Sequence, residues 1–216
     1  MYLCIDINHN YHMKKRHIAV FDFDGTLTTK DTLIEFIRFA FGTRRMLCGF
    51  LRYAPLIVLM KLHLYDNSRC KEHVLSWFFR GMPYSEFEEL GMRFAAQADS
   101  LLRRDTVALL QRHIEAGDTL YIISASAEEW VRPVCEQFGM KSEAMPNGIA
   151  KVMGTRLEVV DGKLTGRYAS PNCYGKEKVN RLKEVEPNRN DYHLTAYGDS
   201  NGDKAMFAFA DVFHKV

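Results

Sequence analysis

Short apolar runs alternate with helix-forming segments along most of this chain. Residues 17–23 (HIAVFDF) and 119–124 (TLYIIS) are continuous runs rich in β-forming residues, a pattern typical of strands buried on both faces. Two later strands are predicted at residues 193–197 and 211–215. Apolar positions at helical spacing predict the helices between these strands, over residues 105–116, 126–138, 176–185 and 203–209. The alternation predicts an α/β protein built on a parallel sheet.

A block of helices interrupts the alternation after the first strand. Asp31 is a suitable N-cap for a helix over residues 31–41, which Gly42 would end. Two more helical patterns cover residues 70–79 and 84–98. The strands on either side of this block predict that it is an insert within the α/β core.

One segment of the insert, residues 46–65 (MLCGFLRYAPLIVLMKLHLY), is apolar over a length that raises the question of a membrane span. Charged, polar and helix-breaking residues interrupt the run at Arg52, Pro55, Lys61 and His63. Because charges are costly in lipid, a helix that is buried in the protein or lies at an interface is favoured over a span.

A second departure from the alternation follows the second strand. Asp161-Gly162 lies between two runs of alternating polarity, which predicts a β-hairpin over residues 153–168.

These elements divide the chain into three parts. The α/β core is predicted to comprise residues 13–30 and 101–216, and the helical insert residues 31–100. Residues 1–12 show neither clear periodicity nor the basic-then-apolar order of a secretory signal, and we expect them to form an N-terminal extension outside the fold.

Composition excludes several classes of protein. The 216 residues carry a formal net charge of +2 and no long Lys/Arg run, so no nucleic-acid partner is expected. The five cysteines are odd in number, widely spaced and free of any Cys-x-x-Cys pattern, which argues against a disulfide framework or a zinc site. This cysteine usage fits a reducing cytoplasm.

Candidate chemistry stands at the end of the first strand, in Asp22-Phe23-Asp24-Gly25-Thr26. Residues two apart on an extended chain point the same way, so Asp22 and Asp24 would present two carboxylates to one pocket. Gly25 would let the chain turn, and Thr26 would supply a hydroxyl. The alternative is that paired aspartates near a turn only cap backbone amides.

Four segments together decide between these readings. The stretch FDFDGTLT resembles motif I of the haloacid dehalogenase superfamily, the aspartate-nucleophile phosphohydrolases. YIISAS, SPNCYGKEKVNRL and YGDSNGD follow in order and resemble motifs II, III and IV. The resemblance implies a three-layer, Rossmann-like parallel sheet in which residues 31–100 form a helical cap.

The resemblance also implies roles for the acidic residues. Asp22 would be the nucleophile that forms an aspartyl-phosphate, and Asp24 the general acid and base. Asp22 and Asp199 would bind Mg²⁺ through their side chains and Asp24 through its backbone carbonyl, while Asp203 would be a direct or outer acidic partner. The implied cofactor is therefore Mg²⁺.

Phosphoryl oxygens would be held by Ser124, by backbone amides and by a lysine. The implied phosphate-binding residues are Gly25, Thr26, Ser124, Ala125 and a lysine of motif III. Two lysines compete for that role, because phosphoserine phosphatases align Lys176 whereas a Cys-x-Gly-x-x-Lys pattern aligns Lys178. The segment Cys173–Lys178 fits the second pattern, so Lys178 is favoured.

Within the superfamily, the position of the insert resembles a type 1 cap, and the chain resembles subfamily IB, which includes phosphoserine phosphatases and phosphatidylglycerophosphatase C-like enzymes. Phosphoserine is the less favoured substrate, because Gly25 and Asp31 stand where phosphoserine phosphatases usually carry Ser and Glu. The apolar segment 46–65 predicts either a lipid phosphate as substrate or a cap that rests on a membrane; the alternative is that it forms the core of the cap.

Two rival functions remain. One is transfer of the phosphoryl group to an acceptor other than water, and the other is a non-catalytic phosphate-binding or phosphoacceptor protein.

Overall fold

The computed structural model describes residues 15–137 and 151–216. Five parallel strands form one sheet in the order β3-β2-β1-β6-β7. These strands are β1 (Arg16–Phe21), β2 (Thr119–Ala127), β3 (Lys151–Thr155), β6 (Tyr192–Gly198) and β7 (Val212–Lys215). The predicted α/β fold with a parallel sheet is therefore confirmed.

Helices cover both faces of the sheet. On one face, α4 (Arg104–Glu115) and α5 (Glu128–Glu136) contribute Leu110 and Trp130 to the larger hydrophobic core. On the other face, α6 (Lys176–Val185) and α7 (Lys204–Phe209) contribute Leu182 and Met206 to a second core. The result is the three-layer arrangement that the sequence predicted.

Strand β1 shows why its sequence is continuously apolar. Ala19 and Phe21 belong to the larger core, whereas Ile18 and Val20 belong to the second. Alternate side chains therefore enter opposite cores, and neither face of this central strand is left for polar residues.

Three helices follow β1: α1 (Thr32–Lys61), α2 (Asn67–Phe79) and α3 (Tyr84–Ala95). Asp31 is the N-cap of α1, as predicted, and its carboxylate accepts a hydrogen bond from the Leu33 amide at 3.0 Å. The predicted helix end at Gly42 is a break within α1, where Gly42 has φ 76° and ψ 161°. Only glycine adopts this conformation readily, so the helix changes direction there.

Aromatic side chains join these helices to the α/β core. The Phe36 ring stacks on Trp130 of α5 with centroids 4.7 Å apart and packs against Phe79 of α2 and Phe87 of α3. Helix α3 also lies close to α5, because a methyl group at Gly91 would collide with the backbone carbonyl of Glu129. The insert is therefore packed firmly against the core.

The hairpin prediction was right about its turn and wrong about its first residues. Strands β4 (Leu157–Val160) and β5 (Lys163–Tyr168) are antiparallel and meet at Asp161-Gly162. Residues 153–155, which the sequence assigned to the hairpin, instead belong to β3 and pair with β2 in the parallel sheet. The residues after Lys151 in this strand are all buried, so both faces of the strand are covered, as is typical of a parallel sheet.

The hairpin packs against the helical insert. The Gly81 amide donates to the Leu164 carbonyl at 2.8 Å, and the Tyr84 amide donates to the Gly162 carbonyl at 2.8 Å. Gly166 approaches Ser76 of α2 so closely that a methyl group there would collide with it. The division into a core and a cap stays a prediction, and residues 1–12 lie outside the described residues.

Segment 46–65 lies in the second half of α1 and the turn that follows it. Within residues 15–137 and 151–216, no helix combines the length and hydropathy needed to cross a membrane. Within this segment Met46 and Gly49 are buried, whereas several apolar neighbours are exposed.

Candidate active site

The predicted motifs meet at the carboxyl ends of three neighbouring strands. Asp22 follows β1, Ser124 lies near the end of β2, and Asp199 follows β6. Because these strands are parallel and adjacent, their carboxyl ends share one edge of the sheet, where open α/β sheets bind ligands. Residues separated by most of the chain are thus brought together.

Lys178 lies between two carboxylates at the base of this site. Its Nζ donates to Asp22 Oδ1 and to Asp203 Oδ1, both at 2.6 Å, and all three side chains are buried. Lys178 reaches them from the first turn of α6, whereas Lys176, two residues earlier, is exposed. The structure therefore brings only one of the two candidate lysines to the acidic residues.

Burial and charge together set the protonation of this cluster. Burial raises the pKa of Asp22 to about 7, although the nearby Lys178 ammonium lowers it in part. Burial lowers the pKa of Lys178, but the carboxylates of Asp22 and Asp203 outweigh it and raise that pKa above its ordinary value. Lys178 accordingly stays charged, and it offsets only part of the acidic charge around it.

The loop after β6 fixes the other acidic residues. Asp203 is buried, and its Oδ2 accepts hydrogen bonds from the Ser200 amide and hydroxyl, each at 3.0 Å. The same oxygen accepts from the Asp199 amide at 3.3 Å. Asp203 thus holds the backbone that carries Asp199 and leaves the Asp199 side chain directed at the site.

These acidic residues fit a divalent cation. Carboxylate oxygens of Asp22, Asp199 and Asp203 lie within 4.8 Å of one another. Asp199 Oδ1 is buried and has no hydrogen-bond partner among the described residues. A methyl group at Gly25 would collide with the Asp199 carboxylate, so the close approach of the two loops requires glycine. Oxygen donors of this kind are those that Mg²⁺ prefers.

Asp24 is held between the start of α1 and the end of β2. Its Oδ1 accepts from the Thr32 amide at 2.7 Å and from the Thr32 hydroxyl at 2.6 Å. Its Oδ2 accepts from the Ser126 hydroxyl at 2.6 Å and from the Ser124 hydroxyl at 3.4 Å. The Trp130 indole donates to the Thr32 hydroxyl at 3.0 Å and orients it. Asp24 is therefore positioned by four hydrogen bonds.

A cavity of about 390 Å³ opens above these residues. Gly25 and Ala125 line it, and its charged lining includes Asp22, Asp24, Lys178 and Asp199. Thr26 and Ser124 are buried and do not line it; the Thr26 hydroxyl has no partner in the described part of the chain. Ser124 instead contacts Asp24 and accepts the Ser126 amide at 3.0 Å.

Sequence reasoning missed several residues of this site. Lys30, Lys71 and Tyr174 line the cavity, and Arg103 donates to the Gly25 carbonyl at 2.9 Å. Lys71 belongs to α2, and only the packing of the insert brings it to the strand ends. No local motif marks it. Ser126, by contrast, lies within the segment that resembles motif II and could have been found there.

The fold and the site define the class of protein: a parallel α/β protein whose carboxylates gather at the strand ends. The chain matches the haloacid dehalogenase-like hydrolase family over residues 19–208, and it belongs to that family. The predicted superfamily and the prediction of an enzyme are thereby confirmed. The assignment to subfamily IB stays a prediction.

Relatives of known sequence are consistent with this membership. The chain is 36% identical over 199 residues to protein CicA of Caulobacter vibrioides, covering 90% of this chain and 83% of that protein. It is 27% identical over 199 residues to phosphoserine phosphatase SerB1 of Mycobacterium tuberculosis, covering 88% of this chain and 61% of that protein.

Solved structures share the fold at low identity. A protein of unknown function from Bordetella pertussis Tohama I superposes with a TM-score of 0.72 at 20% identity, covering 90% of this chain and 86% of that one. A phosphoserine phosphatase in its apo form gives a TM-score of 0.57 at 20% identity, covering 92% and 85%. At this identity the likeness concerns the fold.

Proposed function

We propose that this protein is a Mg²⁺-dependent phosphomonoester hydrolase that works through an aspartyl-phosphate on Asp22. The observation that carries the proposal is the site at the end of β1, where Asp22 lies against Lys178 and beside Asp199 at the base of the cavity. Asp24 follows two residues later in the same cavity. A nucleophile, a proton carrier and compensating charge therefore stand together.

In the first half of the reaction, an Asp22 carboxylate oxygen attacks phosphorus, and the bond from phosphorus to the ester oxygen breaks. Asp24 gives its proton to that oxygen, so the alcohol leaves neutral. In the second half, Asp24 takes a proton from a water molecule, whose oxygen attacks phosphorus and breaks the bond to Asp22. Phosphate and the free carboxylate result, and the protons balance.

Charge compensation is the main task of the surrounding residues. Asp22, Asp199 and Asp203, with the Asp24 carbonyl, would hold Mg²⁺, which would supply positive charge against the repulsion between a carboxylate and a phosphate ester. Lys178 would contribute a second positive charge beside Asp22, which supports its choice as the motif III lysine. Gly25 and Ala125 line the cavity where their amides can serve the phosphoryl oxygens.

The substrate class is a phosphorylated small molecule or a lipid phosphate. Lys30 and Lys71 line the cavity and suit a ligand that carries phosphate, and relatives named phosphoserine phosphatases favour a small metabolite. Exposed apolar side chains of α1 favour a lipid phosphate instead. Comparing turnover of a lipid phosphate with that of a short soluble analogue separates the two, since a metabolite enzyme would show no preference for the lipid.

The test of the activity is release of phosphate from p-nitrophenyl phosphate. We expect turnover that stops with EDTA and returns with MgCl₂, and that is abolished in Asp22→Asn. Hydrolysis that persists in the folded Asp22→Asn variant would contradict the nucleophile. A wild-type protein that binds phosphate without turnover would indicate the non-catalytic alternative, and products formed with added alcohols would indicate phosphotransfer.

A further inference from the structure

Helix α1 carries an apolar stripe on the side that faces solvent. Leu47, Leu51 and Val58 are 57%, 77% and 54% exposed, at intervals of four and seven residues. Leu62, directly after the helix, is also exposed. These intervals place all four on one helix face. We call Leu47, Leu51, Val58 and Leu62 the outer stripe.

The opposite side of the same helix already packs against the protein. Met46 and Gly49 are buried, and Phe50 and Tyr53 pack on the larger core. A methyl group at Gly49 would collide with the Phe78 ring of α2, which fixes the rotation of the helix. The outer stripe is therefore not part of the core of the insert.

Charge has a single sign in the part of α1 that carries the outer stripe. From residue 36 to residue 65 the sequence contains no Asp or Glu, although it contains five Lys or Arg residues. Those that flank the stripe on α1 are Arg44, Arg45, Arg52 and Lys61. An exposed apolar stripe with cationic flanks is the pattern of helices that lie in the interface of an anionic bilayer.

The C-terminal end of α1, which carries the last part of the stripe, lies near the catalytic cavity. Tyr174 lines that cavity and also a neighbouring depression, which is lined by Met60 at the end of α1 and by Leu64 in the turn that follows. A surface that covers the stripe therefore comes close to the mouth of the site.

We propose that the outer stripe docks the protein on an anionic lipid bilayer and presents the catalytic cavity to phosphate esters at that surface. Docking itself needs no turnover, whereas its value for substrate access rests on the proposed phosphatase function. An anionic bilayer is favoured over a second copy of this chain because the flanking residues are all cationic, so two stripes brought together would repel each other.

The experiment measures flotation of the full chain, made inactive by Asp22→Asn, with vesicles of phosphatidylcholine alone or mixed with phosphatidylglycerol. We expect binding to the mixed vesicles and weaker binding to phosphatidylcholine alone. Leu47→Asp/Val58→Asp should weaken binding to the mixed vesicles by about tenfold or more. The matched control is Met92→Asp/Val160→Asp, whose positions are 58% and 53% exposed, and we expect it to bind as the parent does. In Arg44→Gln/Arg52→Gln, the affinity for the mixed vesicles should fall by about fivefold for each charge removed, at low salt.

Absence of binding to the mixed vesicles, or an equal loss in the control, would overturn the proposal. A wild-type dimer that Leu47→Asp/Val58→Asp dissociates, without vesicle binding, would also overturn it and would identify a second copy as the occupant. Hydrolysis of p-nitrophenyl phosphate by the stripe variant in the active background should stay unchanged. If no variant hydrolyses that ester, the proposed activity fails, while the flotation result still decides the docking.

Discussion

At the scale of single residues, Lys178 is the group on which the acidic cluster depends. It makes two hydrogen bonds of 2.6 Å to buried carboxylates, so its removal would leave Asp22 and Asp203 facing each other without compensation. Breaking a buried ion pair from one side costs about 3–5 kcal/mol. Lys176 offers a control two residues away, because it is exposed.

We therefore expect Lys178→Met to lower kcat/KM for p-nitrophenyl phosphate by about a hundredfold or more, and Lys176→Met to change it by less than about twofold. Circular dichroism checks that each variant is folded. Should Lys178→Met fail to fold, Lys178→Arg keeps the charge but cannot fit the same short contacts, and it should fold with reduced turnover. A folded Lys178 variant with full activity would refute the assignment.

Asp24 allows a second prediction at this scale. Asp24→Asn preserves the size of the side chain but removes its proton transfer, so kcat for an alkyl phosphate should fall by about 10²- to 10⁴-fold. The loss in the first chemical step should be smaller for p-nitrophenyl phosphate, because its leaving group needs little protonation. Steady-state and burst kinetics with both esters measure the difference. Equal losses in the burst phase for the two esters would contradict the role of general acid.

The site could be predicted from the sequence only where a local motif carries it. Asp22, Asp24 and Asp199 lie in short segments at strand ends, and strand ends can be located from the apolar runs that precede them. Lys71 could not be predicted, because its position depends on how α2 packs against the core. Thr26 was expected to serve phosphate and is buried instead, since the turn after β1 directs it inward.

At the scale of elements, the contact between α3 and α5 determines how the insert sits on the core. Gly91 lies where the helices approach, against the Glu129 carbonyl. Replacing a helical glycine with alanine normally stabilises a protein by about 1 kcal/mol, because the unfolded chain loses freedom. Here the added methyl group has no room.

We expect Gly91→Ala to reverse that sign and to lower the free energy of unfolding by about 1–3 kcal/mol. Urea denaturation monitored by circular dichroism measures the change. Met92→Ala, at the exposed neighbouring position, is the control and should have an effect within about 0.5 kcal/mol. Stabilisation by Gly91→Ala would show that the two helices can separate at little cost.

The elements themselves were mostly predictable, and the exception is instructive. Strands β1 and β2 carry uninterrupted apolar runs, whereas β3 (Lys151–Thr155) offers only Val152 and Met153 between a lysine and a glycine. The prediction placed residues 153–155 in the hairpin because they stand close in sequence to the turn at Asp161-Gly162. Membership of β3 in the sheet depends on pairing with β2 across the fold, which no window of local sequence contains.

At the scale of the whole molecule, buried acids couple stability to pH. Burial raises the pKa of Glu129 from its ordinary 4.5 to about 7, and its Oε2 has no partner among the residues that the structure describes. Below pH 4.5 both folded and unfolded states hold the proton. As the pH rises toward 7, the unfolded state ionises first, so the free energy of unfolding falls.

We expect Glu129→Gln to remove this loss. The variant should gain stability relative to wild type as the pH rises from about 4.5 to about 7, by at most about 3 kcal/mol, with a constant difference outside that window. Comparing the two proteins by urea denaturation across the range isolates Glu129 from the other buried acids. A difference that does not depend on pH would mean that Glu129 ionises normally in the folded protein.

The ion pair between Lys178 and Asp22 spans 156 positions of the chain. A growing polypeptide cannot close that pair until α6 has been made and has docked beside β1, and Asp199 arrives later still. During synthesis, the first strands are therefore complete well before the active site at their ends is complete. Catalytic competence becomes one of the last properties this molecule acquires, and an incomplete chain carries Asp22 without the lysine that balances its charge.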